Sequence, residues 1–311
     1  MPINLNGILL PVTTPFLANE ELDTAGLVRN LEHWNESGIA GYVVLGSTGE
    51  RAHLNEHEYL QVIESARRAV GENLAFIAGA GQQSTRGTIQ EIERAAAIGA
   101  EAVLVITPGF YKSAITQDAL VRHYLAVADA ARVPVILYSM PDLTGIVIEP
   151  ATAARLSEHQ NIIGMKDSSA KVARFAETVR LVPEDFALLI GNGTVLSENL
   201  QAGGRGGILA VGCVAPRLSL EIFNASRIGD FDYARALQDK LSPLALAVTK
   251  TYGIGGLKAA LEMIGLVGGA VRAPLQRPDA AELAEILRLI KQADEALNDV
   301  SSEHVARLRC S

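Results

Sequence analysis

One feature constrains the fold more than any other. Eight short apolar stretches alternate with segments of helical spacing, at 8–12, 42–45, 75–79, 102–106, 134–138, 162–166, 186–190 and 207–211. Most are apolar at successive positions rather than at every second one. Such runs are buried on both faces, as in a parallel sheet covered by helices. The segments between them carry helical periodicity and start signals: Leu27, Leu31 and Trp34 recur behind Asp23, a good N-cap. Strand–helix units repeated in this way before residue 212 predict a (β/α)8 TIM barrel in preference to an open doubly wound sheet. Beyond that point the pattern turns wholly helical, over 218–228, 231–251, 254–264 and 280–297. The expected organisation is a catalytic barrel over 1–215 and a C-terminal helical extension over 216–311 packed on it.

Active sites of such barrels lie at the C-terminal ends of the strands. The second strand ends in Ser47 and Thr48 between Gly46 and Gly49, the fifth in Tyr138 and the sixth in Lys166. Alternation places Ile162, Gly164, Lys166 and Ser168 on one face, and Ile163, Met165 and Asp167 on the other. A buried lysine is held towards its neutral form and becomes an amine nucleophile able to form a Schiff base with a ketone. An exposed lysine at a strand end is the equally ordinary alternative. Tyr138 stands on the neighbouring strand, about 4.8 Å away, near the same end. If both side chains point inward, the phenol can exchange protons with whatever the amine binds. A phenol with a pKa near 10 is a weak base unless relayed or charge-assisted, and Ser47 and Thr48 offer a hydroxyl relay. Gly46 and Gly49 would let backbone N–H groups approach a small carboxylate. The glycine-rich stretches at 191–193 and 203–207 match neither a P-loop nor a dinucleotide fingerprint, and read as turns.

Composition removes several classes of function. The formal net charge is −8 and no basic block occurs, which argues against nucleic acid or an anionic membrane as partner. No apolar run has the length of a membrane span. The two cysteines, Cys213 and Cys310, cannot make a disulfide framework. With no signal-like N-terminus, a cytoplasmic location is expected. Cys213 lacks a His/Asn signature and reads as a packed thiol. Of the six histidines only His53 and His57 share i, i+4 spacing, without a further ligand motif, so neither metal nor other cofactor is expected.

Five segments taken together have a familiar order: Pro11-Val12-Thr13-Thr14-Pro15-Phe16, Gly46-Ser47-Thr48-Gly49-Glu50, Val105-Ile106-Thr107-Pro108, Tyr138-Ser139-Met140-Pro141 with Thr144-Gly145, and Gly164-Met165-Lys166-Asp167-Ser168. Over nearly its full length the chain resembles the dihydrodipicolinate synthase/N-acetylneuraminate lyase family of pyruvate-linked class I aldolases. The resemblance implies that Lys166 forms the Schiff base, that Tyr138 and Thr48 shuttle protons, and that Tyr111 is lent across a dimer interface. It implies substrate contacts from Ser47, Gly49, Ser168, Gly191 and the residue at position 143. It also implies a homotetramer, a dimer of dimers, acting on pyruvate. Dihydrodipicolinate synthases carry an arginine where this chain has Leu143, preceded by Asp142, and leucine cannot grip a substrate carboxylate. The segments 252–258 and 268–276 look like those of 4-hydroxy-2-oxoglutarate aldolases. The expected reaction is therefore cleavage of 4-hydroxy-2-oxoglutarate to pyruvate and glyoxylate. A 2-keto-3-deoxy sugar-acid aldolase and 4-hydroxy-tetrahydrodipicolinate synthase are the alternatives.

Overall fold

The computed structural model describes residues 3–308, with side chains through Ala296. His304 has no described side chain, and Cys310 lies outside the described residues. Eight parallel strands close into a barrel in chain order: β1 Ile8–Pro11, β2 Gly41–Val44, β3 Ala75–Ala80, β4 Ala102–Ile106, β5 Val135–Ser139, β6 Ile162–Asp167, β7 Ala187–Ile190 and β8 Gly206–Ile208. β1 pairs with both β2 and β8, so the sheet has no free edge. The (β/α)8 expectation holds, and so does the helical region after it.

Local chemistry accounts for the helix boundaries. Asp23 accepts from the Gly26 N–H at 2.7 Å and starts Thr24–Trp34. Asn55 and Glu58 form a reciprocal capping box at the head of Glu56–Ala69. Ser84 and Thr116 cap Thr85–Ile98 and Gln117–Ala130.

Two apolar layers result. Leu9, Val43, Ile77, Leu104, Ile136, Tyr138 and Leu189 point into the barrel. Leu10, Val44, Val103, Leu137 and Met165 face the helices, which add Leu31, Trp34, Ile63 and Tyr124.

Four expectations about elements need correction. The alternation assumed for β6 is broken by a register shift: Val135 pairs with Ile162, but Ile136 pairs with Gly164. Ile162 therefore joins the outer layer with Met165, and Ile163 packs with the inner one. The shift leaves Tyr138 directly opposite Lys166. The eighth strand is shorter than expected, because the backbone tightens into a 3-10 turn at Ala210–Cys213. The helix expected over 231–251 is α-helical only over Phe231–Leu246 and continues as a π turn at Ala247–Thr251. Gly253–Met263 and Ala280–Leu308 complete the C-terminal region, the latter running past the expected end at 297. Among the described residues no helix is long and apolar enough to cross a membrane.

Candidate active site

A cavity of about 390 Å³ opens at the C-terminal ends of the strands. Ser47, Thr48, Tyr138, Lys166, Ser168 and Gly191 line it, all among the expected site residues. Lys166 is 4% exposed and Tyr138 3%. Their strand register puts the Lys166 ammonium 4.4 Å from the centroid of the Tyr138 ring. The Tyr138 hydroxyl lies 3.1 Å from Ser47 Oγ. Burial pushes the phenol up, but the Lys166 charge and then the Ser47 hydroxyl outweigh it, so Tyr138 sits below its ordinary value near 10. A phenol lowered in this way gives up and takes back a proton more readily near neutral pH than a free one. Ser168 Oγ is buried in the wall of the same cavity and adds to the lowering of the Tyr138 phenol.

Gly191 is a glycine for a steric reason. A Cβ there would lie 2.1 Å from Ser168 Oγ and 2.7 Å from Lys166 Cε. The loop after β7 thus makes room for the lysine, while the Gly191 N–H donates to Asp167 O at 2.7 Å and holds the loop to β6.

The hydroxyl against Tyr138 is Ser47's, one residue before the Thr48 expected to join it. The cause is the tight turn at Ser47–Gly49, bracketed by left-handed Leu45 (φ 58°) and Glu50 (φ 53°), which aims Ser47 at β5. Gly49 departs from expectation as well. Its N–H is spent on Gly46 O at 3.0 Å, its carbonyl accepts from Thr14 Oγ1 at 2.7 Å, and it does not line the cavity. Tyr111 is 69% exposed and stacks edge-on against Phe110, 5.0 Å away; within one chain it does not reach the Lys166 cavity.

His53 and His57 do not share a helix. His53 ends a 3-10 turn and its Nδ1 faces Glu50 Oε2 at 3.3 Å, whereas His57 lies beyond the Asn55 cap. Among the described residues no group of three His, Cys, Asp or Glu is disposed to hold a metal ion. Cys213 is fully buried, its thiol pushed up by burial and directed at Pro11 O.

At the mouth the sequence singles out Leu143 alone as a substrate contact. The short helix Pro141–Thr144, pinned by a 2.9 Å bond from Thr107 Oγ1 to Thr144 Oγ1, presents Leu143 to the opening. Val248 and Thr249 arrive from the π turn, and Ile254, Leu257 and Leu275 from the residues after it. Nothing in the helical periodicity of 231–264 distinguishes these positions. With Met140 they make the mouth largely apolar, and Lys166 and His53 are the only basic side chains lining the cavity among the described residues.

Comparison with known proteins fits this geometry. The model of the dihydrodipicolinate synthetase family matches residues 4–293. The chain belongs to that family. The 4-hydroxy-tetrahydrodipicolinate synthase of Methylococcus capsulatus is 36% identical over 289 residues, covering 93% of this chain and 99% of that protein. The synthase of Thermodesulfovibrio yellowstonii is 34% identical over 285 residues, covering 91% and 97%. Among solved structures, the dihydrodipicolinate synthase of Thermotoga maritima superposes with a TM-score of 0.87 at 30% identity, covering 93% of this chain and 98% of that one. As a dihydrodipicolinate synthetase family member the chain is an enzyme, a carbon–carbon lyase of the class I aldolase type.

Proposed function

We propose that this family member binds pyruvate, or a 2-oxo acid that yields it, as a Schiff base on Lys166. The observation that carries the reading is a lysine 4% exposed at a strand end, its ammonium 4.4 Å from the ring of a tyrosine on the adjacent strand. The amine, once deprotonated, adds to the ketone carbon. The carbinolamine then loses water as Tyr138 donates a proton to the departing hydroxyl. The resulting iminium is the electron sink: in the condensing direction C3 gives up a proton and attacks an aldehyde carbon, and in the cleaving direction the C3–C4 bond breaks as the C4 hydroxyl loses its proton. Tyr138, depressed below its usual range and in contact with Ser47, carries these protons. Ser168 and the Ser47–Thr48 turn lie where they can hold the carboxylate beside the ketone.

For the aldehyde, the relatives named 4-hydroxy-tetrahydrodipicolinate synthase support condensation of that kind better than cleavage of 4-hydroxy-2-oxoglutarate. One observation keeps a second reading alive. Leu143, 59% exposed at an apolar mouth, offers no grip for a distal carboxylate. It favours an aldehyde held there through uncharged groups, as a 2-keto-3-deoxy sugar acid would release. The exposed pair Phe110 and Tyr111 suits burial by a second copy of the chain in a homotetramer.

Borohydride reduction in the presence of pyruvate should add one stable mass to the peptide bearing Lys166. Absence of the adduct, or its appearance on another lysine, removes the mechanism. Product release or consumption across a panel of aldehydes and 2-oxo acids then ranks the acceptors.

A further inference from the structure

Behind the Ser47–Thr48 turn lies a buried polar cluster that the mechanism above does not use. Glu50, 1% exposed, closes the turn in a left-handed conformation. Its carboxylate meets the ammonium of Lys258, also 1% exposed, at 2.5 Å. The contact is an ion pair off the ideal hydrogen-bond angle, since Glu50 Oε1 accepts no well-aligned donor. The other carboxylate oxygen accepts from the Arg272 backbone N–H at 3.1 Å and faces His53 Nδ1. Lys258 also donates to Ala270 O at 2.5 Å and lies 4.4 Å from the Phe16 ring centroid. The Arg272 guanidinium lies 4.3 Å from that same centroid, is paired with Glu58 and donates to His53 O at 2.9 Å. Burial pulls the Lys258 ammonium below its ordinary value, and Glu50 opposes that loss of charge.

A buried ion pair of this kind is a poor way to gain stability, because apolar residues of similar volume do as well without the desolvation cost. Its use lies in specifying one geometry. The turn it terminates carries the hydroxyl 3.1 Å from Tyr138 and a cavity wall. Both ends of that turn are in a backbone region that non-glycine residues rarely occupy, so surrounding contacts must hold it.

We propose that Glu50 and Lys258 are positioning residues: their ion pair clamps the Ser47–Thr48 turn to the C-terminal helical region and sets the hydroxyls for proton transfer and carboxylate binding. The inference rests on the Schiff-base reading for its kinetic consequence, but not for its structural one.

The test uses Lys258→Met and Glu50→Gln in the full chain, with Lys258→Arg and the double variant as controls. Amide hydrogen exchange over residues 45–51 is expected to rise in each single variant, with the strands of the barrel unchanged. Solvent deuterium exchange into the methyl group of pyruvate, which needs the Tyr138–Ser47 proton path, is expected to fall about 100-fold, as for a displacement near 1 Å at a reacting group. The KM for pyruvate should rise, while borohydride trapping on Lys166 at saturating pyruvate stays near the native yield. Lys258→Arg should restore part of the exchange rate. The double variant should lose less than the two single losses combined. If Lys258→Met does not fold, Glu50→Gln carries the same readouts, because it keeps the side chain's shape and removes only its charge. Folded variants with native exchange over 45–51 and native methyl exchange overturn the proposal, as does a loss of activity that merely follows the unfolded fraction. Failure of the native enzyme to trap pyruvate overturns the Schiff-base reading instead, and leaves the amide exchange to judge the clamp.

Discussion

Replacing Gly191 by alanine should displace Lys166 by crowding its stem. The added Cβ would lie 2.7 Å from Lys166 Cε and 2.1 Å from Ser168 Oγ. Ordinary carbon–carbon contact is about 3.5–4.0 Å, so the lysine stem must retreat by roughly 1 Å. The Gly191 backbone is not left-handed, so alanine adds crowding and no backbone strain. Crowding a packed wall by one methyl costs about 1–3 kcal/mol, which at a few degrees of Tm per kcal/mol leaves a stable barrel folded. A misplacement near 1 Å at the reacting group costs about 100-fold in rate. The assay is the initial rate of borohydride-trapped adduct at Lys166 with pyruvate, beside a thermal melt. Trapping within about twofold of the native rate in a folded Gly191→Ala protein would refute the idea that this loop seats the nucleophile.

Other outcomes separate the remaining roles. Ser47→Ala should lower kcat about 100-fold, the low end of the range for general acid–base catalysis, while Thr48→Val should do so much less; equal losses would sink the pairing of Ser47 with Tyr138. Leu143→Arg should raise kcat/KM for carboxylate-bearing aldehydes by about tenfold or more through a charge-assisted contact, and an unchanged ranking of the aldehyde panel would show that position 143 does not read the acceptor. His123 is buried with Nε2 unpartnered and Nδ1 2.9 Å from Thr85 Oγ1, and burial pushes its pKa down from 6.5 to about 4. The unfolded chain then takes up the proton first, so the stability present above pH 6.5 is lost as pH falls towards 4, in all by about 3 kcal/mol. Denaturant titrations of His123→Gln should show a flatter slope across that window, and a native-like slope would contradict the assignment.

Much of the chain was readable in one dimension because its signals are local. Apolar runs, periodicity and caps such as Asp23, Asn55, Ser84 and Thr116 act within a few residues, and strand order follows chain order in a barrel of βα units. Lys166 and Tyr138 were readable for the same reason, since each ends a strand and consecutive strands become neighbours. Details set by distant contacts were not readable in this way. Whether Ser47 or Thr48 meets the phenol depends on a turn whose end is gripped by Lys258 and by the Arg272 backbone, far along the chain. The apolar mouth depends on a π turn at Ala247–Thr251 that carries Val248 and Thr249 to the opening.

The sequence by itself determined the barrel, the strand-end lysine and its tyrosine neighbour, because burial pattern and chain order are properties of short segments. Only the tertiary structure decided which hydroxyl completes the pair, why position 191 must be bare, and what lines the entrance. Those outcomes come from side chains and backbone that meet only after the sheet has closed and the last helices have packed over its rim.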